Sequence, residues 1–120
     1  MKILLLIISL IFFPAEKENS CASIKTGKFT NKTKDTIITR TKEYQTEICK
    51  EDGTHWKWKL HWINACQYHM VLKEDYSTNP SNVFVIGDTI TIKFITVNKA
   101  KYDWEATYKG RSFKGFNYIL

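Results

Sequence analysis

Along residues 55–63, Trp56, Trp58, Leu60 and Trp62 take every second position and alternate with His55, Lys57, Lys59 and His61. Successive side chains of an extended chain point to opposite sides, so a period of two over this length predicts a strand with one buried face. Further stretches carry the same signature. Tyr68, Met70 and Leu72 alternate with Gln67, His69 and Lys73, and Tyr102, Trp104, Ala106 and Tyr108 alternate with Lys101, Asp103, Glu105 and Lys109. Ile90, Ile92 and Phe94 share one side of the stretch 88–98; the apolar phase then shifts to Ile95 and Val97, which predicts a bulge or bend. Phe113, Phe116, Tyr118 and Leu120 form a less regular final strand, and weaker strands are expected over 27–31, 36–41 and 44–50. Asp52-Gly53, Asn64-Ala65, Asn98-Lys99 and Gly110 supply turn chemistry between the runs, and 75–87, with Pro80, is the one long loop.

About eight short strands with tight connections predict an all-β domain, a single antiparallel meander over 23–120. Closing it into a small barrel removes the exposed edges; a two-layer β-sandwich is the alternative. An eight-stranded barrel has an interior wide enough for side chains or for one small ligand. Here the three tryptophans of 55–63 and Trp104 are expected to fill much of that space.

The first 22 residues read differently. Met1-Lys2 and the apolar run 3–13 match a signal peptide, too short to span a membrane, and Pro14 ends the run. Cleavage after Ala22 places small residues, Ser20 and Ala22, where a leader peptidase reads, and would discard Cys21. Cleavage before Cys21 would keep it and open a second route, a lipid anchor on Cys21, although Glu18 stands where such sites carry an aliphatic residue. The expected localisation is exported: periplasmic, cell-envelope or secreted. The formal charge is +6, and it survives removal of the leader because that segment is itself neutral. Its lysines are scattered, and an exported chain meets little nucleic acid, so a soluble basic surface is the expectation. A domain of this size also excludes large nucleotide-driven machines. Cys21, Cys49 and Cys66 permit one disulfide in any of three pairings.

Three spaced groups carry a family resemblance. They are Thr26-Gly27-Lys28-Phe29 after Cys21, the pattern R-x-x-x-x-Q-x-E at Arg40, Gln45 and Glu47, and W-x-x-x-C-x-Y at Trp62, Cys66 and Tyr68. Together they resemble a family of small, uncharacterised exported proteins of flavobacteria and their relatives, some filed under a DNA topoisomerase IV name. A strand-passing topoisomerase needs far more chain than this, so that label is rejected. The resemblance implies a Cys21–Cys66 disulfide; Cys49 departs from the pattern. The Gly-x-Phe opening and the meander also look lipocalin-like, with Phe29 in place of a tryptophan that packs across the barrel floor.

Several constellations bear on chemistry. His61 and His69 face each other across their strands on the outer side if a three-residue turn joins them, near enough to share a metal. Only His55 offers a third ligand, so two exposed histidines and no metal are expected. Arg40, Gln45 and Glu47 form either an internal cluster that offers a fork of donors to an anionic ligand or a structural ion pair between Arg40 and Glu47. The tryptophans lie on the majority face, which reads as core; Trp58 and Trp104 join Arg40, Gln45 and Glu47 as the candidate ligand-contacting set. Asn31-Lys32-Thr33 matches a glycosylation acceptor. Catalytic motifs are lacking: there is no glycine-rich phosphate loop, no H-E-x-x-H and no nucleophile beside a recognisable base.

The expected function is therefore non-enzymatic and cofactor-free. One class is a binding module for a small hydrophobic or amphipathic ligand or an envelope protein partner. The other is a structural or interaction protein with a filled core.

Overall fold

The computed structural model describes residues 20–80 and 83–120. The leader expectation lies outside them except at Ser20–Ala22. Eight strands follow in order: β1 (Gly27–Thr30), β2 (Thr36–Arg40), β3 (Tyr44–Cys49), β4 (Thr54–Asn64), β5 (Gln67–Asp75), β6 (Thr89–Val97), β7 (Lys101–Tyr108) and β8 (Arg111–Ile119). Each pairs antiparallel with its sequence neighbour, and β1 pairs with β8 through Phe29 opposite Ile119 and Thr30 opposite Tyr118. The sheet is a closed barrel, and the sandwich alternative falls because no edge is left unpaired.

The alternation of the sequence becomes the inside and outside of this barrel. Trp58, Leu60, Tyr68, Met70, Leu72, Ile90, Ile92, Phe94 and Tyr102 form the buried core, while the intervening lysines and acids face out. Three register shifts bend the wall, at Lys57/Trp58, at Trp62/Asn64 and at Phe94/Thr96. The last is the expected bulge, with one difference. Ile95 is the extra residue and is exposed, and only Val97 resumes the inward phase. Between β7 and β8, Lys109 and Gly110 both adopt positive φ, 50° and 76°, the two-residue turn whose twist matches a hairpin.

The barrel has two unlike ends. At one, the residues before β1 fold across the opening: Ser20–Ala22 is helical, the Cys21–Cys66 disulfide ties it to the β4–β5 connection, and Ile24 is fully buried. The other end carries the connections 31–35, 50–53, 76–88 and 109–110.

Candidate functional site

Inside the barrel, a cavity of about 390 Å³ runs from the closed end toward the connections at the other. Arg40, Gln45, Glu47, Trp58 and Trp104, the five residues singled out from sequence as ligand-contacting, all line it. They converge because β2, β3, β4 and β7 each turn the same parity inward: Arg40 pairs with Gln45, Gln45 with Trp58, and Glu47 with Trp56.

Arg40 forms the floor. It is 3% exposed, and its guanidinium donates from Nε to Gln45 Oε1 at 2.9 Å, from Nη1 to the Ile24 carbonyl at 2.6 Å and from Nη2 to the Tyr102 hydroxyl at 2.8 Å. Gln45 Oε1 also accepts from the Tyr68 hydroxyl at 2.7 Å, and the Tyr102 oxygen accepts from Asn117 Nδ2 at 2.9 Å. The rings of Phe29 and Phe94 flank the cation, 4.6 and 5.2 Å from their centroids. The Arg40–Glu47 ion pair does not form, because Arg40 spends its donors on neutral oxygens and aromatic faces instead. Phe29 lies beside Arg40, its ring against the guanidinium.

Glu47 sits farther along the lumen. It is half-buried because it faces the cavity, yet its Oε2 reaches no solvent and has no hydrogen-bond partner. Burial pushes the carboxyl up to about 7, against the attraction of Arg40 and the dipoles of Trp58 and Gln45. The indole N–H groups of Trp56, Trp58 and Trp104 are likewise buried without a partner. Trp62, near the closed end, instead donates to the Lys42 carbonyl at 3.0 Å.

The tryptophans line the lumen and leave it open, a correction to the expectation that they fill it. Trp58 is fully buried and meets Trp56 and Phe84 edge-on, with centroids 5.9 and 5.5 Å away. Trp104 lies flat on the wall because its cross-strand partner is Gly115, where a Cβ would strike the indole. Phe84 is one residue that sequence reasoning missed: it reaches back from the 76–88 connection to Trp56, Trp58 and Tyr108. A phenylalanine flanked by Val83 and Val85 in a polar loop was its only signal. Tyr68, Tyr102 and Asn117 were also missed as polar partners, although the two tyrosines occupy inward positions of alternating strands.

The remaining candidates separate from the cavity. His61 and His69 are directly opposite, in the predicted register, reached through a bulge and a two-residue connection. His69 Nδ1 is engaged with Thr91 Oγ1 at 2.8 Å. His55 lies six positions earlier on β4, about 20 Å along the strand, and stacks on Tyr76. No group of three or more His, Cys, Asp or Glu side chains suited to a metal occurs among the described residues. Asn31 is tied into its own turn, donating to Asp35 and accepting from the Thr36 amide. The Cys21 sulfur is bonded to Cys66 and so is not free for a lipid, whereas Cys49 is a buried free thiol on the cavity wall.

Compared with protein-family models, with curated proteins and with solved structures, the chain matches none.

Proposed function

We propose that the protein is an exported, non-enzymatic binding module that holds one small hydrophobic or amphipathic molecule in the lumen of its barrel. The observation that carries this reading is the cavity. Its volume of about 390 Å³ falls in the range of about 300–1,000 Å³ typical of small-molecule sites, and its make-up, an apolar wall with a few convergent polar groups, is theirs too. An eight-stranded barrel can fill its interior with side chains, and a purely structural protein gains packing by doing so. The Gly115 gap that lets Trp104 lie flat works in the opposite direction.

Export is supported by the disulfide, since such bonds persist in oxidising compartments and are rare in reducing ones. The closed meander, the floor built on Phe29 and the short helical segment across one end support the lipocalin-like likeness. Among the titratable groups of the lumen, Arg40 is bonded to Tyr102 directly and is linked to Tyr68 through the shared oxygen of Gln45, which suits a rigid floor better than a reacting centre.

Native mass spectrometry of protein purified from its own host tests the reading. A small molecule that departs on denaturation is the expected result; bare protein mass would overturn it.

A further inference from the structure

Lumen donors and acceptors are unequally matched. Gln45 Oε1 is occupied twice, by Arg40 and Tyr68, so it has little left to offer. Among the described residues, the buried side-chain atoms without a partner are one oxygen, Glu47 Oε2, and three N–H groups, those of Trp56, Trp58 and Trp104. All four residues line the cavity. Buried N–H groups without an acceptor are rare because nothing replaces their lost hydration; the Trp58 N–H acts on Glu47, and those of Trp56 on β4 and Trp104 on β7 point to an acceptor that comes from outside the chain. Charge points the same way. Arg40 is a permanent cation at the floor, and among the described residues the only ion pair within 4.0 Å is the distant Lys59–Glu43.

We infer that the lumen selects a molecule with an anionic oxygen head, in the simplest case a carboxylate, seated against the indole N–H groups between Arg40 and Glu47. This rests on the reading of the lumen as a ligand site. The apolar body lies toward Met70, Ile90, Ile92 and Ala106, which line the same space. At about 30 Å³ per water-sized group the cavity holds about a dozen non-hydrogen atoms, the size of an eight-carbon acid.

Such a head cannot sit beside an ionised Glu47 without repulsion, so Glu47 binds as the neutral acid and donates its proton. Uptake of the ligand is then coupled to uptake of a proton. The other charged or titratable side chains on the cavity are Arg40 from β2, Cys49 from β3, Asp52 from the β3–β4 connection, Tyr68 from β5 and Tyr102 from β7. Asp52 is exposed at the rim and ionises well below neutrality, so it adds no step near pH 7. Burial raises the Tyr68 phenol, which keeps it neutral.

The test compares octanoate, 1-octanol and octylamine on the full chain, read by tryptophan fluorescence and by protection of Cys49 from a small methylating thiol reagent. At pH 6 octanoate is expected to bind about tenfold more tightly than either of the others, and about tenfold more tightly than at pH 8.5. Equal or tighter binding of the alcohol or the amine would overturn the head-group assignment and leave the lumen reading standing. No binding and no protection by any of the three would overturn both. Trp104→Phe keeps a ring and removes one N–H; it should narrow the preference for octanoate severalfold, and an unchanged preference would sink the donor argument. Glu47→Gln should bind octanoate with no dependence on pH, and a persisting dependence would remove Glu47 from the account.

Discussion

Arg40 is a cation buried without a carboxylate in contact, and the consequences of replacing it follow from what each partner keeps. In Arg40→Met the Tyr102 hydroxyl retains Asn117 and Gln45 retains Tyr68, so only the Ile24 carbonyl is stranded. One buried group without its partner costs about 1–3 kcal/mol, and no opposite charge is left uncompensated. A modest loss in thermal stability is therefore expected, together with an upward shift of the Glu47 titration by carboxyl carbon NMR, since the attraction that holds it down is gone. Glu47 itself links stability to pH. Its folded pKa of about 7 lies above the ordinary value of 4.5, so the folded state is the better proton binder. Its favourable contribution is complete below 4.5 and is lost as pH rises toward 7, by at most about 3 kcal/mol at 1.36 kcal/mol per pH unit. Urea unfolding of the wild type and of Glu47→Gln at pH 5 and pH 8 should show the wild type losing stability relative to the variant. Parallel behaviour of the two would mean that Glu47 is ionised throughout.

At the scale of strands, the pairing of Trp104 on β7 with Gly115 on β8 decides how much of the lumen is open. A cross-strand aromatic covering a glycine is a known way to stabilise a sheet at a residue that packs poorly by itself. In Gly115→Val the new side chain meets the indole, and overpacking of this kind costs about 1–3 kcal/mol. The ring must swing inward, so octanoate should lose affinity and protection of Cys49 should weaken; the double variant with Trp104→Ala should regain stability relative to the sum of the two single changes. These relations mark the limit of what the sequence conveys. Every strand was legible, because a barrel with one wet and one dry face writes its inside and outside as alternation, and even the bulge at Ile95 showed as a phase slip. The candidate residues Arg40, Gln45, Glu47, Trp58 and Trp104 were legible as inward positions for the same reason. Their arrangement was not. Whether Arg40 turns to Glu47 or to Tyr102 depends on strands 62 residues apart in sequence, and whether tryptophans fill or line a lumen depends on the residue across the ladder from each.

For the molecule as a whole, the Cys21–Cys66 disulfide joins the barrel to the segment that closes one end of it. The bond spans 45 residues of chain, a loop for which the entropy lost by the unfolded state corresponds to about 4 kcal/mol. It also holds Ile24 in place, and with it the carbonyl that receives Arg40. Cys21→Ser with Cys66→Ser is therefore expected to lose about 3–4 kcal/mol in denaturant unfolding and to open the floor, seen as faster hydrogen exchange near Arg40. The same reasoning bears on processing. A chain cut after Ala22 would lack Cys21 and would leave Cys66 without its partner, giving two free thiols, Cys66 at the closed end and Cys49 on the lumen wall. Small domains depend heavily on their disulfides, so any cut that preserves this bond would have to lie before Cys21. Intact-mass measurement of the protein purified from its own host under non-reducing conditions, with and without alkylation, should find Cys21 retained and a single alkylated cysteine, Cys49. A mass that begins at Ser23 with two alkylated cysteines would show that the barrel closes without the bond and that the floor is built another way.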